Sequence, residues 1–279
     1  MVHAAAASSF SVEIPIITVH QLGLAYVKAT RFLSPQRVAI DRGGIRHDRL
    51  FALVEADGKF INSDSHAGSI PLQFDYAADA ERFTLHLPDG RQLEGPARAD
   101  GATWAIDHYG LRQIEVQEVG GPWTAALTEY AGRPLRLVRC LSSGGAIDVF
   151  PITFTTTGSL RQLASEVGAA VDATRFRAGL VLDHPEPYAE DAWDGRHLRV
   201  GTVLLRVRTA VPRCGVIGLN PASGVRDQDV MRSLILTRPK TGLPDGLIPG
   251  YATPGFATYA EVLEPGEVAV GDKVELSLG

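Results

Sequence analysis

This chain of 279 residues has few cysteines, only a small excess of charge of one sign and no long apolar run. The two cysteines, Cys140 and Cys214, predict free thiols rather than a disulfide framework in a chain of this size. The 27 basic and 32 acidic residues leave a formal net charge of -5 with no basic block, so we expect no nucleic-acid partner and no membrane anchor. No apolar run approaches the roughly 18 residues of a membrane span. We therefore expect a cytoplasmic protein.

Several motifs of well-known enzyme classes are also missing. The eight histidines show no metal-ligand spacing, so a zinc site held by protein side chains has no support. Neither a GxSxG elbow nor a Walker loop is present, and no GxGxxG follows a predicted strand. Serine hydrolases, P-loop proteins and dinucleotide-binding enzymes are thus disfavoured.

Short apolar segments separated by turn residues make up most of the sequence, with 29 Gly and 17 Pro spread along it. Phe83–Leu87 and Arg91–Glu94 flank Pro88-Asp89-Gly90, which is typical of a hairpin because Asp-Gly tolerates positive φ. The segment 197–211, broken only by Gly201, predicts two adjacent strands. The fold class expected is mainly β with a few helices, built from barrels or sandwiches.

Three segments have helical signals. Pro122 and Gly132 bracket Trp123–Ala131 as a start and an end. Ser159 and Gln162 form the pattern of a capping box before an apolar stripe, and a third helix is expected near residues 227–235.

The organisation that we predict has three parts. Residues 1–11 are a tail, residues 12–121 a smaller β-rich N-terminal domain, and residues 122–279 a second domain, with the boundary at Gly120-Gly121-Pro122. Residues 238–255 hold four prolines and four glycines, so they are expected to form a long surface loop, which suits either a binding loop or a variable insertion.

Cys214 is the main candidate for chemistry. It follows an apolar β-rich run, and the neighbouring Arg213 would favour the thiolate, the form that attacks electrophiles and binds soft metals. A buried structural cysteine remains an alternative at this stage.

Candidate anion-binding groups lie elsewhere along the chain. Arg177 and the charged stretch 42–49, which contains Arg49, could each bind a phosphate or carboxylate, or could simply be solvated. Thr156 lies at the start of the second predicted helix, where hydroxyls and free backbone N–H groups suit an anion. Helix capping alone would also explain these hydroxyl residues.

The order of seven short motifs is informative where each motif alone is weak. They are Tyr26-Val27-Lys28, Gly44 to Arg49, Phe150-Pro151-Ile152, Arg175-Phe176-Arg177, Pro187 to Trp193, Arg213-Cys214 and Val270-Gly271-Asp272. Over residues 14–279 this series resembles the MOSC superfamily with its N-terminal β-barrel domain, the architecture of amidoxime-reducing components. The resemblance implies a MOSC β-barrel preceded by the smaller β-rich domain.

The resemblance also implies a cofactor and roles for individual residues. Molybdenum cofactor would lie between the two parts, with Cys214 as the metal ligand, Arg213 beside it, and Lys28, Arg49, Thr156 and Arg177 around the pterin. The implied reaction is the reduction of small N-oxygenated molecules, with electrons from a partner protein.

The chain departs from the family pattern at four places, namely Ala29, Asn62-Ser63-Asp64, Ala178-Gly179 and Pro212. Each departure removes a polar donor or replaces a cation. A metal-free alternative therefore stays open, in which the Cys214 thiol serves a sulfur transferase or a lyase-type enzyme of specialised biosynthesis. A third hypothesis is that the chain is a non-catalytic binding protein with the same barrel.

Overall fold

The computed structural model describes residues 16–279, and the tail expected at residues 1–11 lies outside this range. In chain order the strands are β1 (Ile17–Leu22), β2 (Arg37–Asp41), β3 (Gly44–Ile45), β4 (Phe51–Glu55), β5 (Gln73–Ala77), β6 (Arg82–His86), β7 (Gln92–Pro96), β8 (Ala99–His108), β9 (Arg112–Val119), β10 (Leu135–Cys140), β11 (Ile152–Thr156), β12 (Leu180–Asp183), β13 (His197–Val200), β14 (Val203–Pro212), β15 (Lys240–Gly242), β16 (Ala252–Glu264), β17 (Gly266–Ala269) and β18 (Lys273–Ser277). The α-helices are α1 (Trp123–Ala131), α2 (Thr157–Val167) and α3 (Val230–Thr237). Short 3-10 helices occupy Ala67–Ser69, Ala78–Ala80, Ala173–Phe176, Ala189–Trp193, Gly215–Gly218 and Pro244–Gly246.

Seven strands close into a barrel in the order β11-β12-β1-β18-β13-β14-β16, and β16 pairs back to β11. The pair β11–β12 is parallel, and α2 lies in the crossover between them, as a parallel pair requires. The barrel core is mainly aliphatic, with Val19, Leu182 and Val207 among its buried members beside the aromatic Phe154 and Trp193. The predicted fold class, mainly β with a few helices and a MOSC-type barrel, is confirmed.

The N-terminal part consists of smaller sheets. Four strands run in the order β4-β10-β9-β8, and β5-β6-β7 form a second antiparallel sheet that contains the predicted hairpin at Pro88-Asp89-Gly90. α1 packs Trp123 and Leu127 into their shared core with Phe51 and Phe83. A sheet of β17, β2 and β3 joins the two ends of the chain.

Two of the three helices begin elsewhere than the sequence indicates. α1 has the predicted bounds, and Gly132 adopts a left-handed φ of 66° after its end. The capping box on Ser159 was wrong, because the N-cap is Thr156, whose side chain accepts from the Ser159 N–H. α3 starts at Val230 after the Asp229 cap.

The domain boundary at residues 121/122 stays a prediction, although strands pair across it. β1 belongs to the barrel, where it pairs with β12 and β18, and β10 belongs to the N-terminal sheet beside β4 and β9. No helix within residues 16–279 is both long and apolar enough to cross a membrane.

Candidate functional site

A cavity of about 440 Å³ receives side chains from both parts of the chain. From the N-terminal part come Lys28, Asp48, Arg49, Asp64 and Tyr109; from the barrel and its loops come Asp148, Arg177, Arg213, Cys214 and Tyr259. Cys214, Arg213, Lys28, Arg49 and Arg177, five of the residues singled out from the sequence, therefore meet in one place, whereas Thr156 is not among the lining residues.

Cys214 lies where β14 ends and the 3-10 helix Gly215–Gly218 begins, and its free thiol is exposed. Arg213 precedes it and points inward. Its guanidinium donates to the carbonyl of Phe256 at 2.7 Å and to that of Phe176 at 3.0 Å, while Nη2 is buried without a hydrogen-bond partner. Arg213 thus fixes the end of the strand, which presents the sulfur to the cavity.

Lys28 lies on the floor of the cavity with 6% of its surface exposed. Its ammonium donates to the carbonyl of Ala146 at 3.0 Å and to the carboxylate of Asp148. Burial lowers the pKa of Lys28, although the attraction of Asp148 opposes the shift. Enclosure in the cavity would raise the pKa of Asp148, but its side chain is 55% exposed, and the charge of Lys28 holds the pKa far below its usual range. The two groups therefore form an ion pair.

Arg49 and Arg177 share one aromatic neighbour. Their guanidinium carbons lie 5.7 and 5.0 Å from the ring centroid of Phe32, within the range of cation–π attraction. Arg49 pairs with Asp48 at 2.5 Å, and Arg177 donates to the carbonyl of Thr30 at 2.9 Å. Burial and the nearby charge of Arg49 lower the pKa of Arg177, yet a guanidinium stays charged in proteins.

Arg177 has an unsatisfied donor that bears on ligand binding. Its Nη2 is buried without a hydrogen-bond partner, and the residue lines the cavity. A buried donor without an acceptor costs about 1–3 kcal/mol, so an anionic oxygen placed there would be stabilised.

Thr156 has a different role from the one that we expected. At the start of α2 the carboxylate of Glu190 accepts from the hydroxyls of Thr155, Thr156 and Ser159 at 2.8–3.0 Å and from the Thr156 N–H at 3.2 Å. Glu190 is 2% exposed. The helix terminus is thus an anion site, but a carboxylate of the chain itself fills it.

Sequence reasoning missed several cavity residues. Asp148 lies two positions before the Phe150-Pro151-Ile152 motif, and a carboxylate next to a buried strand was the available signal. Tyr109 sits at the β8–β9 turn with a left-handed φ of 60°, and its ring lies 5.9 Å from Lys28 Nζ. Burial raises the pKa of Tyr259, which is 6% exposed, and partial enclosure raises that of Tyr109, which is 51% exposed, so both phenols stay protonated at neutral pH.

Comparisons with known proteins agree with this architecture. The family model described as "MOSC domain" matches residues 144–275. Mitochondrial amidoxime-reducing component 1 of Homo sapiens is 30% identical over 284 residues, covering 93% of this chain and 82% of that protein. The chain belongs to the MOSC-domain family. The sequence-based resemblance is thereby confirmed.

Two further comparisons cover different shares of this MOSC protein. Molybdenum cofactor sulfurase of Danio rerio is 42% identical over 225 residues, covering 68% of the MOSC protein but 27% of the sulfurase. Among solved structures, the YUAD protein from Bacillus subtilis covers 94% of the MOSC protein and 96% of its own chain, at 11% identity and a TM-score of 0.43.

Proposed function

We propose that this MOSC protein is a reductase of small N-oxygenated molecules that depends on molybdenum cofactor. Cys214 would be the metal ligand, and Lys28, Arg49 and Arg177 would hold the anionic part of the cofactor. One observation supports this more than any other: the exposed sulfur of Cys214 shares its cavity with buried and half-buried cations, three of which have a buried donor without a hydrogen-bond partner, namely Arg175, Arg177 and Arg213.

The chemical types of the cavity side chains suit molybdenum cofactor. A thiolate is a soft ligand appropriate to molybdenum, and guanidinium groups bind phosphate and pterin oxygens through charge-assisted hydrogen bonds. The lining residues include five cations against three carboxylates, a formal excess of two positive charges: Lys28, Arg49, Arg175, Arg177 and Arg213 against Asp48, Asp64 and Asp148. That excess favours a phosphate-bearing ligand.

The net reaction consumes two electrons and two protons, cleaves the N–O bond and releases water. When bound, the cofactor supplies the two-electron redox chemistry, and a partner protein supplies the electrons. Lys28 and Asp148 form a charged hydrogen-bonded pair at the floor, which keeps the ammonium oriented. The protonated phenols of Tyr109 and Tyr259 are neutral donors that can orient the oxygen of a substrate.

The test is elemental analysis of protein produced in a host that makes molybdenum cofactor. We expect close to one molybdenum per chain, and we expect Cys214→Ala to abolish it. Cys140→Ala is the matched control, because Cys140 is buried in the N-terminal sheets outside the cavity lining. Wild-type protein that repeatedly carries neither molybdenum nor pterin would refute the proposal.

A second candidate is metal-free chemistry at the same thiol, as a sulfur transferase or lyase-type enzyme. The presence of Asn62, Ser63 and Asp64 among the lining residues favours it, because Asp64 brings negative charge to a wall where the family pattern has a cation. A persulfide mass adduct on Cys214 would support this candidate. Full activity in Cys214→Ala protein would exclude it.

A further inference from the structure

The Pro- and Gly-rich segment 238–255 reaches the cavity. Three of its side chains, Leu243, Ile248 and Tyr251, are among the lining residues. The segment includes the short strand β15, whose Lys240, Thr241 and Gly242 pair with Pro254, Thr253 and Ala252 of β16. The segment is therefore part of the cavity wall.

Two arginines hold the segment against the rest of the protein. Arg208, on strand β14, donates to both carboxylate oxygens of Asp245 at 2.8 and 2.9 Å. Arg238 pairs with Asp191, and its guanidinium carbon lies 3.9 Å from the ring centroid of Tyr188. Arg208 thus links Asp245 through Nη2 and Glu261 through Nη1, and Arg238 stacks on Tyr188, so both arginines tie the segment that carries the three apolar side chains to neighbouring elements.

The cavity is chemically divided. Lys28 and Arg213 are 6% and 8% exposed, so the deepest part of the cavity is cationic, whereas Arg49 and Arg177 are half-buried. Leu243 and Ile248 are half-buried and Tyr251 is 38% exposed, so this wall lies towards the mouth. A ligand that fills the cavity therefore contacts this apolar wall as well as the cations. An apolar part of a substrate would displace water from this apolar wall, which is favourable. A polar part would lose its hydration there without gaining a hydrogen bond.

We propose that Leu243, Ile248 and Tyr251 determine specificity, selecting N-oxygenated substrates whose body is an uncharged apolar ring over small hydrophilic ones. The inference rests on the proposed reductase function and adds the substrate class. The reacting N–O group points towards Cys214, and the ring lies against segment 238–255.

The test compares two probes that differ in the body alone, benzamidoxime with a phenyl group and acetamidoxime with a methyl group. The holoenzyme is assayed with a chemically reduced viologen as the electron donor. Leu243→Ala and Ile248→Ala should each lower kcat/KM for benzamidoxime by about tenfold, mainly through KM, since a few methylene groups in an apolar pocket discriminate at that level. For acetamidoxime the change should stay within about twofold.

Leu247→Ala is the matched control, because Leu247 belongs to the same segment, is 46% exposed and is not among the lining residues. It should leave the ratio between the two probes unchanged. Equal losses for both probes in Leu243→Ala and Ile248→Ala, or no loss for either, would overturn the assignment of specificity to this wall.

A binding measurement separates this inference from the proposed function. If wild-type holoenzyme reduces neither probe, the reductase proposal fails. Calorimetric titration with each probe then decides the present inference alone. Tighter binding of benzamidoxime that Leu243→Ala weakens and Leu247→Ala does not would support the apolar wall. Equal binding of the two probes, or the same affinity in all variants, would refute it.

Discussion

Arg49 donates through Nη2 to the backbone carbonyl of Arg177 at 3.4 Å, which brings two positively charged side chains together at the cavity. Both residues have a left-handed φ of 50°, a conformation that costs free energy in a residue with a side chain. Like charges held close together repel each other, and burial adds to the cost. An anion bound between the two guanidinium groups would reduce the repulsion and the cost of burying the charges. This is expected of a binding site rather than of a structural feature.

Arg177→Gln should therefore lower the binding of the cofactor more than it lowers the stability of the fold. A lost charge-assisted hydrogen bond is worth about 1.5–3 kcal/mol, which corresponds to about 10- to 100-fold in affinity. The melting temperature of the cofactor-free protein should change by no more than about 3 °C, since like-charge repulsion is removed together with the bond to Thr30.

Molybdenum content and thermal unfolding are the measurements for this variant. Arg161→Gln on the exposed side of α2 is the control, because Arg161 makes a 3.5 Å contact with the carbonyl of Pro185 outside the cavity lining. Retention of full molybdenum content in Arg177→Gln protein would show that this guanidinium does not hold the cofactor.

Glu190→Gln should destabilise the protein strongly and leave the cavity intact. The buried carboxylate accepts four hydrogen bonds at the start of α2. The NH2 group of a glutamine amide would instead place a hydrogen-bond donor against the hydroxyl and N–H donors. The loss expected is about 1–3 kcal/mol in the free energy of unfolding, measured by denaturant titration.

The control is Glu186→Gln, at an exposed position nearby in the chain. We expect it to change the free energy of unfolding by less than about 0.5 kcal/mol. Molybdenum content per folded chain should match the wild type in both variants, since neither residue is among the cavity-lining residues. A large drop in Glu190→Gln protein that remains folded would restore the role in cofactor binding first expected at Thr156.

Features with local causes were predictable from the sequence. α1 has the predicted bounds because Pro122 and Gly132 are adjacent to it in the chain. The cap of α2 was assigned to Ser159 instead of Thr156, because the Ser159 hydroxyl bonds to Glu190, 31 positions away, and no local pattern reveals that contact. The place of β1 in the barrel was missed for the same reason, since its partners β12 and β18 lie more than half the chain away.

The same distinction applies to the candidate site. Cys214, Lys28, Arg49 and Arg177 were selected through the order of the motifs, and the fold brings them to one cavity. The ion pair between Asp148 and Lys28 was not predictable, because the two residues lie 120 positions apart in the sequence. The contribution of segment 238–255 to the wall also depends on tertiary contacts, such as that between Arg208 and Asp245.

His108 predicts a loss of stability in mildly acidic solution. Its side chain is 2% exposed and its Nε2 lies 3.5 Å from Asp148, which is too long for a good hydrogen bond. Burial lowers the pKa of His108 from its ordinary 6.5, although Asp148 opposes the shift. The unfolded chain therefore takes up a proton at a higher pH than the folded one. Stability is full above about pH 6.5 and declines below it, by up to about 1.4 kcal/mol per pH unit.

His108→Phe should flatten this decline, as the free energy of unfolding measured between pH 7.5 and 5 would show. Phe preserves the aromatic contact with Phe60, whose ring centroid lies 5.6 Å away. His20→Gln, at an exposed position of β1, should keep the wild-type slope. An identical slope in wild type and His108→Phe would mean that the buried imidazole is not the group responsible.

Asp245→Asn should loosen segment 238–255 without unfolding the protein. Asp245 has a left-handed φ of 55°, which asparagine also tolerates, so the substitution removes the charge that pairs with Arg208 and retains the backbone. The Asp245 side chain is 68% exposed, and such surface pairs contribute at most about 1 kcal/mol to global stability. We expect faster cleavage between residues 243 and 251 in limited proteolysis, with a melting temperature close to the wild-type value. Glu264→Gln breaks a comparable exposed pair, between Arg199 of β13 and the last residue of β16 outside the segment, and should leave that cleavage rate unchanged. Equal cleavage rates in wild type and Asp245→Asn would show that the arginine does not hold the wall in place.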